Sequence, residues 1–384
     1  MRTFSRFVLL LIIPACIACA QVAGVHRAAK PMGDGTAFFA RVPDAPLVFT
    51  GQIFAPQMGG EIRAECEGAL DALAATLANA GSDLAHVARL TVYAAEAEAT
   101  VAAEAAIAQR FAAAPVALTI VRTPLARAGA WVGFEAVAVS SRTEPGVAVL
   151  SSEAAVLPAG GKIFISGQAV RGADLATASR LTMAGLHRSL THLSLAAADV
   201  VQVKAFIRPF AGHAAAVRAI AESFGSGTVP PIVVMEWVSE LHAEIELVAA
   251  ARSIRAPEGE TVVHSRLPWL TPSPRYSHVA LVPAGVPLIF IGAIESDAGG
   301  DPRAQMKAIF ERIGSVLFDA GGSYRNLAKA TYYLHAPPTR ALLGEIRGVY
   351  FDSTRPPAAS ALQVAAPAHA GRAAAIELIA VPVK

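Results

Sequence analysis

Two carboxylates stand out in the alternating run Ala243-Glu244-Ile245-Glu246-Leu247-Val248. Residues two apart on a strand point to one face, so Glu244 and Glu246 could line a single cleft. Partial burial raises a carboxyl pKa toward neutrality, where the group serves as a general acid or base. Glu244 is therefore the candidate catalytic residue, against the alternative of an ordinary strand glutamate facing solvent. Ser166 ends the run Ile163-Phe164-Ile165-Ser166-Gly167-Gln168. Its hydroxyl could bond a substrate or water, or cap a strand turn. His187 and His192 are five apart in a helical stretch and do not share a face, which argues against a metal pair. The zincin, GxSxG and P-loop patterns are missing from the sequence, and neither metal nor cofactor is expected.

The elements that would position these groups recur three times. A β-branched and aromatic run ends in glycine at Leu47-Val48-Phe49-Thr50-Gly51-Gln52, at Ile163 to Gln168, and at Leu288-Ile289-Phe290-Ile291-Gly292-Ala293. Such runs suit a strand, with the glycine marking a bulge or a close backbone approach. Helical stripes follow: Leu70, Leu73 and Leu77; then Leu186, Leu190 and Leu193; then Met306, Ile309, Ile313 and Val316. Gly81 and Gly321-Gly322 stand where a helix end wants a left-handed residue. From Gly51 to Asp83 and from Gly167 to Asp199 is 32 residues, and from Gly292 to Ser323 is 31. Each segment then offers a strand, a second helix ending near Phe111, Phe224 or Phe351, a proline, and a closing strand with an acidic residue at Glu135, Glu246 or Glu377. This order implies an α+β layer of sheet and helices. The boundaries read as 36–142, 143–255 and 260–384.

Charged residues make up 16% of the 384, the net charge is +2, and no block of like charge occurs, so no nucleic-acid partner is expected. Residues 1–20 read as an export signal: Arg2 and Arg6, an apolar stretch from Phe7 to Ile13, and the small-residue site Ala18-Cys19-Ala20. The expected location is periplasmic or secreted, with a lipid anchor on Cys16 or Cys19 as the alternative. After cleavage Cys66 is the single thiol left, and it reads as a core residue.

The glycine-ended strand, the helix that follows it and the closing Glu-Ile-Glu strand resemble the RidA/YjgF family across almost all of the chain beyond about residue 36. That resemblance implies a chorismate-mutase-like fold and, with three copies in one chain, an intramolecular pseudo-trimer that works as a monomer. It further implies hydrolysis of imines or enamines in clefts between copies. The substrate-binding residues carried over are Ser166, Gly167, Thr50, Gly51 and Tyr276, with Glu244 as the water-activating carboxylate. The family's carboxylate-binding arginine is replaced by Ala117, Ile232 and Ala358, and the equivalents of Glu244 are Gly133 and Ala375. Arg122 and Arg275 are the guanidinium groups that could approach from another direction. These departures leave two expectations: a divergent hydrolase of the RidA type, or a non-catalytic exported small-molecule binder or interaction scaffold.

Overall fold

The computed structural model describes residues 24–30, 35–251, 257–296, 300–335 and 337–384. The proposed export signal and its two cysteines lie outside them. The first segment comprises β1 (His26–Ala29), β2 (Thr36–Val42), β3 (Leu47–Thr50), α1 (Ile62–Asn79), β4 (Val87–Ala94), α2 (Ala97–Arg110), β5 (Val116–Arg122) and β6 (Val132–Val139). The second holds β7 (Ala148–Ser151), β8 (Ala154–Leu157), β9 (Lys162–Gln168), α3 (Leu175–His192), β10 (Val200–Ile207), α4 (His213–Glu222), β11 (Ile232–Glu236) and β12 (Ala243–Ala250). In the third are β13 (Val263–Ser265), β14 (Val279–Val282), β15 (Leu288–Ile294), α5 (Pro302–Asp319), β16 (Leu327–Leu334), α6 (Pro337–Tyr350), β17 (Ala358–Gln363) and β18 (Ala374–Ala380). The element order is therefore the same three times, and the class is mixed α+β.

The long helices behave as their apolar spacing requires. Leu70, Leu73 and Leu77 of α1 are fully buried, as are Leu186 and Leu190 of α3 and Met306, Ile309 and Ile313 of α5. Leu193 is the exception: it lies just past the end of α3 and is half-buried, and Leu195 takes the buried place. The cause is the helix end. All three helices close with a left-handed residue, Gly81 at φ 71°, Ser194 at φ 57° and Gly321 at φ 73°. In each, the amide one residue further on reaches back to the last turn: Ser82 to Leu77 at 2.9 Å, Leu195 to Leu190 at 2.8 Å and Gly322 to Leu317 at 2.7 Å. Among the described residues Ser194 is the one non-glycine with positive φ.

Within each segment four strands pair in one pattern. β4 is parallel to β5 and antiparallel to β6, which continues to β3; β10, β11, β12 and β9 repeat this, as do β16, β17, β18 and β15. One edge of each block, along β3, β9 or β15, is then covered by a strand from the next segment. β8 lies on β3, β14 lies on β9, and β2 lies on β15, so the third segment is joined back to the first. Register is the same at every join, with a phenylalanine opposite an alanine: Phe49 with Ala155, Phe164 with Ala280, and Phe290 with Ala40. These six residues belong to one apolar core drawn from all three segments. Three further cores lie between sheet and helices, one per segment. The turns at one end of the shared core meet at Asp44, whose carboxylate accepts from the Gly160 amide at 2.9 Å, the Gly285 amide at 2.6 Å and the Lys162 ammonium at 2.6 Å.

A serine in the left-handed region carries a steric cost of about 1 kcal/mol that glycine escapes. Ser194→Gly is expected to raise stability by roughly 0.5 kcal/mol after the entropy of the unfolded chain is counted. Denaturant melts of both proteins check this, with no gain as the contrary result.

Candidate functional site

The shared interior is charged as well as apolar. Glu135, Glu246 and Glu377 sit at matching places on the closing strands and are buried, with Glu135 wholly so. Each meets a cation from a neighbouring segment: Lys204 reaches Glu135 at 2.9 Å, Arg89 reaches Glu377 at 3.2 Å, and Lys329 pairs with Glu246. Arg89 also bonds Glu135 at 2.7 Å, and the Tyr93 hydroxyl donates to that carboxylate at 2.5 Å. In the second segment Gln202 donates to Glu135 at 3.1 Å, and the charge has moved two residues along the strand to Lys204. Burial alone would raise the Glu135 carboxyl, but Lys204 and Arg89 beside it hold it below the usual carboxylate range. These carboxylates are therefore committed to joining the segments.

Glu244 occupies a different situation at the junction of the second and third segments. It is half-buried on β12, on the same face as Glu246. A Cβ placed on Gly167 would lie 2.1 Å from its Oε1, so the glycine leaves the room that the carboxyl fills. Burial, and then repulsion from Glu246, push its pKa up to about 7 against the opposing pull of Lys329 and Arg340. The Tyr276 phenol of the third segment has its pKa raised by its own burial and then by the charge of Glu244. Ser360 donates from β17 to Glu246.

The structure thus brings Ser166, Gly167, Glu244 and Tyr276 to one junction, with Thr50 and Gly51 at another. The two hydroxyls among them are already engaged. Ser166 Oγ donates to the Ser277 carbonyl at 2.6 Å and accepts from the Ala359 amide at 2.8 Å. Thr50 Oγ1 donates to the Gly51 carbonyl at 2.9 Å and accepts from the Ala136 amide at 2.8 Å. Both side chains are buried. They stitch backbone to backbone, the Ser166 bonds joining two segments. Ala117 and Ala358 are fully buried in strands, where no long side chain would fit without displacing the core.

Arg122 pairs with Glu96 at 3.4 Å and Arg275 packs against Gly344 of α6. His187 bonds Ser223 at 3.2 Å and His192 stands edge-on to Trp269, so both are packing residues. Among the described residues no cluster of three metal-ligating side chains occurs.

A cleft of about 610 Å³ lies where the third segment meets the first. Its wall includes Gly292, where a Cβ would come within 2.4 Å of the Leu118 carbonyl oxygen, so β15 and β5 approach backbone to backbone. At its mouth His369 Nδ1 contacts Glu295 at 2.6 Å and Nε2 contacts Glu104 at 3.0 Å, the latter on α2 of the first segment. The two carboxylates push the His369 pKa up to about 10. Sequence reading missed this group because Glu104 and His369 are 265 residues apart and follow no spacing rule.

Because the folded-state pKa of His369 lies above its unfolded value, its stabilising contribution is complete below about pH 6.5. That contribution is lost as pH rises toward 10. The melting temperature is expected to fall over this interval, and His369→Gln to flatten the fall; identical slopes would show that the imidazole does not join the segments.

Residues 269–382 match the family model described as Endoribonuclease L-PSP. A RutC family protein from Synechocystis is 35% identical over 66 residues, which is 17% of this chain and 51% of that protein. The chain thus spans about half the length of that relative. Among solved structures, RidA from a Psychrobacter species is 24% identical, with 32% of this chain and 98% of that one covered and a TM-score of 0.24. A YjgF family member from Neisseria meningitidis is 21% identical, covering 32% of this chain and 96% of that one, again with a TM-score of 0.24. The family match and the RutC relative support the RidA/YjgF family for this chain.

Proposed function

We propose, taking that family as the premise, that the three segments are tandem RidA-like units, at 36–142, 143–255 and 260–384, closed around a pseudo-threefold axis as a monomeric pseudo-trimer. We further propose that the junction of the second and third units hydrolyses small imines or enamines to a carbonyl compound and ammonia. The observation that carries this reading is Glu244, a half-buried carboxyl with a pKa of about 7, seated over a glycine, whose charge raises the phenol of a tyrosine from the next unit.

The chemistry follows from those positions. Ionised Glu244 accepts a proton from water as its oxygen attacks the C=N carbon, and the π pair moves to nitrogen, which is protonated. Glu244, having returned that first proton to nitrogen, takes the carbinolamine O–H proton and passes it to the same nitrogen as the C–N bond breaks, so the carbonyl forms, ammonia leaves and the carboxylate is regenerated. A group with a pKa near the working pH both takes and returns a proton efficiently. The Tyr276 hydroxyl stays protonated, since burial and the nearby carboxylate raise it, and serves as a hydrogen-bond donor to the reacting atoms. Without an arginine at position 117, 232 or 358, 2-aminoacrylate and similar imino acids are expected to be poor substrates.

Ammonia release from a panel of freshly generated imines tests the reading. Parent protein should show kcat/KM rising with pH through about 7 as Glu244 ionises, and Glu244→Gln should lose about a hundredfold or more. No release from any imine, or equal release by both proteins, would overturn it. The cellular setting proposed with it is export with cleavage after Ala20, which the mass of the mature N-terminus checks against a lipidated cysteine.

A further inference from the structure

The segments share one backbone join, and they differ in where the chain goes after it. In the second segment a bulge at Ser166 and Gly167 faces Glu246, and pairing resumes with Gln168 opposite Ile245. In the first, pairing resumes at Ile53 opposite Phe134, and the next residue, Phe54, lays its ring over Gly133. A Cβ at position 133 would lie 2.9 Å from that ring, so Phe54 fills the space that Glu244 holds in the second segment. What keeps the second segment from closing in the same way is found on α3. Counted back from the left-handed residue at each helix end, Ser179 and Thr182 replace Cys66 and Ala69 of α1 and Met306 and Ile309 of α5. Ser179, Thr182 and Ser189 are wholly buried, and Gln168 nearly so. Gln168 Nε2 donates to Ser189 Oγ at 2.9 Å, and the Val170 amide donates to Thr182 Oγ1 at 3.1 Å. Gly172 lies so close to α3 that a Cβ there would come within 2.4 Å of the Ala178 amide nitrogen. Gln168 shares the face of Ile245, which belongs to the core beneath α3, while Glu244 points to the other face.

Buried hydroxyls and amides cost stability unless they are bonded, and apolar residues serve the same places under α1 and α5. The polar exchange is therefore tied to what the second segment does. We propose that Thr182, Ser189 and Gln168 are positioning residues of the Glu244 site. Their hydrogen bonds hold the turn after the bulge on α3, which leaves the carboxyl its seat over Gly167 and its open side for substrate. From the other side the bulge is fixed by the Ser166 bonds to Ser277 and Ala359. The three residues act through the backbone of 168–170 and not on the reacting atoms. Their role presupposes Glu244 as the working carboxylate, and it supplies the reason why one segment keeps a place open that another fills with a phenyl ring.

Thr182→Val removes the acceptor at nearly constant shape, and Thr182→Ser restores it. In the full chain, ammonia release by Thr182→Val should fall about tenfold in kcat/KM, mostly through kcat, and Thr182→Ser should return to within about twofold of the parent. The Glu244 carboxyl titration, followed by carbon NMR and assigned by its loss in Glu244→Gln, should move its midpoint up by about half a unit or more in Thr182→Val, as the freed turn covers the carboxyl. Glu246, Lys329, Arg340, Ser360 and Tyr276, the groups around Glu244, are left in place by both substitutions. Melting temperatures confirm that the variants fold; should Thr182→Val not fold, Ser189→Ala, which strips the Gln168 amide of its acceptor, carries the same expectations. Turnover by the folded variant equal to the parent's would overturn the positioning role and leave the Glu244 reading standing. With no turnover even in the parent, the hydrolytic reading falls and the titration decides alone: a raised midpoint supports the positioning role, and an unchanged one overturns it.

Discussion

The exchange of an edge strand between segments is the constraint on which the rest of this molecule depends. A four-stranded block leaves unpaired amides and carbonyls along the outer side of its last strand, here β3, β9 or β15, a template for uncontrolled pairing. Here β8, β14 and β2 cover those edges in turn, and the last of them carries the chain's third segment back to its first. Every hydrogen bond in those ladders therefore does two things at once: it satisfies a backbone group and fixes one segment against the next. The phenylalanine-to-alanine register fills the shared interior without crowding, since large and small side chains face each other at each join.

Charge in the shared interior follows from that closure. Three carboxylates enter an interior where an unpaired ion would be costly, and each is met by a cation from a neighbour. The pairs are specific because they fit one mutual rotation of the segments. For Glu135 and Glu246 the cost in desolvation is further offset by hydrogen bonds from Tyr93, Gln202 and Ser360. In the second segment the amide of Gln202 and the ammonium of Lys204 share work that Arg89 does alone in the first, which indicates that the face of the strand matters and the residue number does not.

Between the segments lie junctions that have diverged in chemistry while keeping the same backbone joins. One holds a carboxyl with a pKa near neutrality over a glycine; another holds a wide cleft with His369 between two carboxylates at its mouth. The hydroxyls at the strand ends hold the backbone, as Ser166 does in joining the Ser277 carbonyl to the Ala359 amide. A covalent chain makes such divergence possible, because a substitution in one segment is not copied to the other two as it would be in three identical subunits.

Much of the fold was legible because its signals are local. Helix stripes, glycine-ended strands and helix-terminal glycines depend on neighbours a few residues apart, and Glu244 stood out because strand alternation puts it on the same face as Glu246. The engagement of Ser166, the commitment of Glu246 to Lys329, and the His369 contacts with Glu104 and Glu295 depend on residues up to 265 positions apart. Sequence alone thus determined the elements and the faces they present. Tertiary structure decided which polar groups are already bonded and which remain for chemistry, because that choice is made by whichever segment is packed against each face.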